Sequence, residues 1–307
     1  MNIQQLEYVM AVNTHRHFAR AAESCHVTQP TLSMMIHKLE EECGVKIFDR
    51  SKQPVIPTQA GEKLIEQAKT ILREISRFSE IVNSSKNTIS GELKVGIIPT
   101  IAPYLLPLFL MSFKEKYPDV KLRISETITE NILEKLQNGE LDAGILVSPE
   151  DNSNFNEYPL LFEPFVVYTP RKFEKEYLLA EDIDVSDLLL LEEGHCFRSQ
   201  IMRFCELRKQ QENSIEYTSG SLETLKNLAD RQLGITILPE LATLNFSEEE
   251  HLRVKRFADP QPNRRISILT HRNFVKQRLV ELLKSEIIEH VPEVYKSARG
   301  NTVEFKK

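Results

Sequence analysis

Apolar residues recur at helical spacing in three short runs near the start of the chain, Ile3 to Asn13, Phe18 to Cys25 and Pro30 to Cys43, with polar breaks at 14–17 and 26–29. Breaks this short force the three predicted helices into one compact cluster. In the third run Leu32, Met35, Ile36 and Leu39 form the inward stripe, Thr28 is placed to cap the helix and Pro30 falls in its first turn. Thr31, Ser33, Met34, His37 and Lys38 occupy the opposite face. The stretch Val45 to Thr58 is broken by prolines and carries Arg50 and Lys52, which predicts a β-wing or irregular hairpin rather than a helix. From Thr58-Gln59-Ala60-Gly61 a helical pattern then runs to about Asn83, with Leu64, Ile65, Ala68, Ile71, Leu72, Ile75, Phe78, Ile81 and Val82 as its stripe. So long and apolar a helix needs a partner. Polar residues 84–91 follow as a linker.

Beyond Leu93 the pattern alternates. Strand-like runs at 93–98, 121–126, 143–147, 165–169, 188–191, 215–217, 235–238, 254–257 and 266–271 are interleaved with helix-like runs at 103–117, 130–138, 197–209, 221–231 and 275–291. This predicts an α/β domain with mostly parallel strands in two lobes, whose ligand site lies at strand ends and in the cleft between lobes. The expected division is therefore 1–58 for a small helical unit with a wing, 59–90 for a long linker helix and hinge, and 91–307 for a two-lobed α/β unit.

Composition narrows the class. With 41% hydrophobic and 27% charged residues, ten glycines and fifteen prolines, the chain is that of a folded globular protein. The N-terminus lacks a basic and apolar leader, and the longest mainly apolar run, Pro103 to Met111, is too short to span a bilayer, so a cytoplasmic protein without membrane contact is expected. The net charge of −6 is unevenly placed: residues 1–90 carry eleven Lys/Arg against ten Asp/Glu, and the rest 28 against 35. Any nucleic-acid contact must then come from local placement of basic and polar side chains, not from bulk charge. Paired catalytic carboxylates, nucleophile-base orders, phosphate loops and metal boxes are not evident, and neither a cofactor nor a metal is expected.

The candidate chemistry lies in the cysteines. Four are present, at 25, 43, 196 and 205, without zinc-type spacing. Cys196 follows an acidic turn at the start of a predicted helix, where unpaired amides and Arg198 favour a thiolate; Cys205 lies among Met202, Phe204 and Leu207. On one helix the two Cα atoms stand roughly 13 Å apart and on opposite faces. A disulfide requires about 7 Å or less, so oxidation of this pair has to unwind the helix. Cys25 and Cys43 each close a helix on what reads as its packed side and are expected to be structural.

The segments Phe18-Ala19-Arg20-Ala21-Ala22-Glu23, Val27-Thr28-Gln29-Pro30-Thr31-Leu32-Ser33, Gly44-Val45-Lys46-Ile47-Phe48-Asp49-Arg50 and Thr58-Gln59-Ala60-Gly61 closely resemble LysR-type transcriptional regulators. Within that family Ile98-Pro99-Thr100-Ile101-Ala102-Pro103, Gly194-His195-Cys196 with Cys205, and Ser221-Leu222-Glu223-Thr224-Leu225 resemble the OxyR-like hydrogen peroxide sensors. The resemblance implies a winged helix-turn-helix, a dimerising linker helix, a two-lobed periplasmic-binding-protein-like domain and a homotetramer on promoter DNA, with RNA polymerase a candidate further partner. It implies Cys196 as the peroxide-reactive thiol and Cys205 as the resolving one. It carries over Thr100, Thr129, His195 and Arg265, with Arg264 as the alternative arginine, to the peroxide pocket, and makes Arg198 a support for the thiolate. Thr28, Gln29, Pro30, Thr31, Ser33, Met34, His37 and Lys38 would face the major groove, and Arg50 and Lys52 the phosphates. Two other readings stand beside it: a family member that binds a small organic effector in the inter-lobe cleft, and a thiol peroxidase, in which a DNA-binding unit has no place.

Overall fold

The computed structural model describes residues 1–85, 89–149, 153–171, 175–192, 196–205, 220–297 and 301–303, and the side chains of all of these but 76, 79–85, 185 and 301. The chain divides into two compact units, Met1–Thr88 and Ile89–Lys307. No described helix is long and apolar enough to cross a membrane.

In the first unit α1 (Ile3–His15), α2 (Phe18–Ser24) and α3 (Gln29–Cys43) pack around Leu6, Val9, Val12, Ala21, Ala22, Leu32, Ile36 and Leu39. Caps fix where the helices begin. Asn2 and Gln5 exchange side-chain and backbone hydrogen bonds at 2.9 Å ahead of α1, and the Thr28 hydroxyl accepts from the Thr31 amide at the start of α3. Strands β1 (Phe48–Asp49) and β2 (Ile56–Pro57) pair antiparallel as the expected wing. The wing is tied to α3 by Glu40, a buried carboxylate that accepts the Ile47 amide at 2.8 Å and pairs with Arg50 at 3.2 Å. Then α4 (Gln59–Ser85) begins under the Thr58 hydroxyl, which accepts the Gly61 amide at 2.9 Å; a Cβ at Gly61 would collide with the Ile47 carbonyl. Ile65 and Ala68 of α4 are buried in this same core, and Leu64, Ile71 and Leu72 pack on it. Phe78, two turns on, is 70% exposed.

The second unit runs β3 (Gly91–Ile97), α5 (Ala102–Lys116), β4 (Val120–Glu126), α6 (Thr129–Asn138), β5 (Ala143–Val147), β6 (Phe155–Tyr168), β7 (Tyr177–Leu178), β8 (Leu188–Leu189), α7 (Cys196–Phe204), α8 (Leu222–Asp230), β9 (Ile235–Pro239), α9 (Glu248–His251), β10 (Val254–Phe257), β11 (Pro262–His271), α10 (Gln277–His290) and β12 (Asn301–Thr302). The strands form one continuous path, β4-β3-β5-β11-β6-β10-β7, with β9 also on β6, β8 on β9 and β12 on β11. Two cores flank it, one around β3, β5, α5, α6 and α10, the other around the far end of β6 with β8, β9, α7 and α8.

The expected mostly parallel sheet is instead mixed. β3 pairs parallel with β4 and β5, but β11 runs antiparallel to both β5 and β6, and β6 is antiparallel to β9 and β10. The reason is the length of β6: it starts at Phe155, ten residues before the apolar run that marks it in the sequence, and its mixed stretch from Phe155 to Pro164 pairs with β11 before its apolar end enters the second lobe. The strand expected at 215–217 lies outside the described residues.

Gly96 and Gly144 face each other across β3 and β5. A Cβ at Gly96 would meet Leu141 at 2.7 Å and Ile132 at 3.0 Å, and one at Gly144 would collide with Ile132. The paired glycines let α6 settle onto the sheet, which fixes the position of Thr129 at its N-terminus.

Candidate functional site

The first residue of α7 stands where the two cores meet. The Cys196 side chain is 3% exposed and packs with the first lobe, whereas its neighbour Phe197 is fully buried in the second. Burial pushes the Cys196 thiol up; the Thr129 hydroxyl, the Arg264 charge and the backbone amides of Phe197 and Cys196 itself pull it down by less. The contact with Thr129 falls short of a formed hydrogen bond, so the Thr129 Oγ1 is buried with no partner satisfied. A small polar molecule entering here would find a waiting donor and acceptor.

Arg264 and Glu163 are cross-strand neighbours on β11 and β6, both fully buried. The guanidinium donates to Glu163 Oε2 from Nε and Nη2 at 2.8 Å, to the Thr100 hydroxyl at 2.8 Å and to the Thr100 carbonyl at 3.0 Å, and it stacks 4.7 Å from the Phe197 ring centroid. Glu163 Oε1 accepts the Leu241 amide at 3.1 Å. Breaking such a buried pair costs about 3–5 kcal/mol, because the remaining charge is left without compensation. Thr100 is not a helix cap, since α5 begins after Ile101 with no side-chain cap.

Two expected placements change. Of the two candidate arginines, Arg264 is the one whose charge acts on Cys196: successive residues of a strand point to opposite faces, and Arg265 turns outward, 41% exposed, to pair with Glu157 at 3.1 Å. Arg198, expected beside the thiolate, donates to the Leu191 carbonyl at 2.8 Å, and the cation acting on the sulfur comes from β11. His195 lies outside the described residues.

Cys205 follows the last turn of α7, its amide bonded to the Ile201 carbonyl at 2.9 Å. It is half-buried against the second core, and burial pushes its thiol up to about 11. All four cysteines are free thiols. The helix between Cys196 and Cys205 is intact, and nine residues at about 1.5 Å each hold their Cα atoms roughly 13 Å apart along the axis. Cys25 packs on the core of the first unit as expected, but Cys43 is exposed, because α3 turns off into Gly44 in the left-handed region instead of packing its last residue.

In the first unit the exposed face of α3 presents Thr31, Met34, His37 and Lys38, with Met34 63% exposed. Ser33 is half-buried and accepts from Arg50 at 2.9 Å. Arg50 also stacks over Phe18 at 4.7 Å, so it fastens the wing to α2 and α3 as well as lying on the surface. Next to it a concavity of about 410 Å³ is lined by His15, Arg16, His17, Arg20, Gln29, Arg50 and Lys52. Arg16 comes from the α1–α2 turn and Arg20 from the first turn of α2. Their basic clustering with Lys52 arises only in three dimensions.

Residues 3–62 match the family described as bacterial regulatory helix-turn-helix protein, lysR family, and residues 86–292 match the LysR substrate binding domain. A hydrogen peroxide-inducible genes activator of Pectobacterium carotovorum subsp. carotovorum is 38% identical over 294 residues, spanning 95% of this chain and 97% of that protein. The DNA-binding transcriptional dual regulator OxyR of Escherichia coli K12 is 37% identical over 306 residues, 97% of this chain and all of that protein. Among solved structures, a full-length OxyR variant from Pseudomonas aeruginosa superposes with a TM-score of 0.77 at 36% identity, covering 95% of this chain and 99% of that one. A hydrogen peroxide-bound OxyR mutant from Corynebacterium glutamicum gives 0.61 at 30% identity, covering 94% and 92%.

Proposed function

This chain belongs to the LysR family of helix-turn-helix transcriptional regulators, as an OxyR-like, hydrogen peroxide-responsive member and not an enzyme, and we propose that its response runs through Cys196 and Cys205. The observation that carries this reading is the seat around Cys196: a buried thiol at a helix N-terminus, an unsatisfied Thr129 hydroxyl facing it, and a fixed guanidinium held by Thr100 and Glu163.

In the proposed step the Cys196 thiolate attacks one peroxide oxygen. An S–O bond forms as the O–O bond breaks, and the departing hydroxide takes up a proton and leaves as water. The Thr129 hydroxyl holds the oxidant, and Arg264 stabilises both the thiolate and the negative charge that builds on the leaving oxygen. Cys205, as thiolate, then attacks the sulfenic sulfur; the S–S bond forms and the sulfenic oxygen departs as a second water. Two thiols and one peroxide thus give a disulfide and two waters. Because the intact helix keeps the thiols apart, the second step requires α7 to unwind, and the chemical event becomes a rearrangement of the regulatory unit.

The exposed face of α3 enters the major groove of promoter DNA, and Arg50, Lys52 and the basic α1–α2 turn meet phosphates. The distal stripe of α4 pairs with a second copy, giving a homodimer and through it a homotetramer in the cytoplasm, with RNA polymerase a further contact. The test is mass spectrometry of the peptides around Cys196 and Cys205 before and after sub-stoichiometric peroxide. A Cys196–Cys205 disulfide is expected. Thiols that stay free while a metabolite changes the DNA footprint would place the chain with the effector-binding members of the family.

A further inference from the structure

Glu163 touches neither cysteine, yet it is the counter-charge of the guanidinium that acts on Cys196. Burial pushes the Glu163 carboxyl up, but its hydrogen-bond partners among the described residues are all donors, Arg264 Nε and Nη2 on Oε2 and the Leu241 amide on Oε1, and they favour the anion. Both members of the pair are fully buried, where neither water nor salt screens them. Arg264 cannot swing to follow the sulfur, because Thr100 holds it through hydroxyl and carbonyl and the Phe197 ring covers its face.

We infer that Glu163 is a positioning residue that sets the resting reactivity of Cys196, by holding Arg264 in place while neutralising much of its attraction for the thiolate. The inference rests on the peroxide reading for its purpose, but not for its test. A lone buried cation beside a thiol keeps it ionised and open to any small oxidant. A cation already paired with a buried carboxylate gives only partial help, and burial then prevails, so the thiol rests protonated. Glu163 in this way sets the oxidant level at which the switch responds.

The other groups around this centre come from several elements. Tyr104 on α5 donates to Glu223 at 3.1 Å, and its hydroxyl is pushed up first by burial and then by Glu223, with Glu163 adding and Arg264 subtracting. Tyr295 is raised chiefly by burial, with Glu240 and Glu163 adding to it. Glu240 pairs with Arg256 at 2.6 Å. On the sulfur itself the acting groups among the described residues are Thr129 from α6, Arg264 from β11 and the two amides of α7.

The experiment compares wild type, E163Q and E163D in the reduced full-length protein. The Cys196 ionisation midpoint is read from the ¹³Cβ shift of labelled cysteine against pH, and access to the thiol from its alkylation rate divided by the thiolate fraction. E163Q is expected to lower the midpoint by about one unit while the rate per thiolate stays at the wild-type value. E163D, which keeps the charge but draws it back from the guanidinium, should lower it by a smaller amount. An unshifted midpoint in E163Q overturns the inference, and so does a shift matched by a rise in rate per thiolate, since that would report only loosened packing. If E163Q does not fold, an unshifted E163D overturns it. Peroxide consumption at fixed pH is measured in parallel: a shifted midpoint with no change in peroxide reactivity would retain the electrostatic assignment and reject the peroxide reading.

Discussion

Gln200 on α7 donates from Nε2 to the carbonyl of Val303 at 2.7 Å, and the Val303 amide in turn bonds to the Asn263 carbonyl on β11 at 2.7 Å. The helix between the two thiols is thereby fastened to the residue after β12 and through it to β11. Gln200 is fully buried, so the bond is protected from competing water. Unwinding α7 must break it. Gln200→Ala is expected to destabilise the reduced protein by about 1–2 kcal/mol and to speed disulfide formation. Urea unfolding and the rate of disulfide appearance check both parts, and oxidation of wild type should raise hydrogen exchange at residues 301–303.

The serine variants should differ. Cys196→Ser is expected to be inert to peroxide, whereas Cys205→Ser consumes one equivalent and accumulates a sulfenic acid that dimedone traps. Labelling on Cys205 in the first variant, with none on Cys196 in the second, would reverse the assignment.

Burial pushes the Cys205 thiol up to about 11 from its ordinary 9.0. A group whose pKa is raised on folding stabilises the fold fully below its unfolded value, and that contribution is lost as pH rises through the folded one. Part of the wild-type stability should therefore disappear between about pH 9 and 11. Urea midpoints across that window should fall less steeply in Cys205→Ser.

On DNA, Arg20→Ala is expected to weaken binding to all sequences alike and to flatten the dependence of log K on log salt by about one unit of slope. His37→Ala should instead change preference at one base position by about 1–3 kcal/mol. Arg50→Ala should do more than lose a phosphate contact, because it also unfastens the wing from Ser33 and Glu40. Binding titrations at three salt concentrations, with a thermal melt of each variant, separate these effects.

Assembly is best tested at Phe78, since Ile71 already packs on its own unit's core. Phe78→Glu is expected to shift the oligomer toward monomers in sedimentation velocity without lowering the melting temperature of the DNA-binding unit. An unchanged sedimentation profile would remove the distal stripe of α4 from the interface.

The amino-acid sequence alone determined what depends on near neighbours. The three helices, the Thr28 cap, the proline-broken wing, the long helix after Thr58 and a helix starting at Cys196 follow from spacing and end signals within a few residues. The separation of Cys196 from Cys205 followed too, because a helix converts sequence distance directly into length. Tertiary structure decided which side chains meet. Arg264 and Arg265 are indistinguishable as letters, and only the pairing of β11 with β6 turns Arg264 onto Glu163 and sends Arg265 out to Glu157. The first half of β6, where Asn156, Glu157 and Pro159 interrupt the apolar residues, gives no strand signal until β11 lies beside it. The thiol reverses its expected setting for the same reason: a helix start and Arg198 favour ionisation locally, but burial between two lobes is a property of the whole packed unit, and it outweighs them.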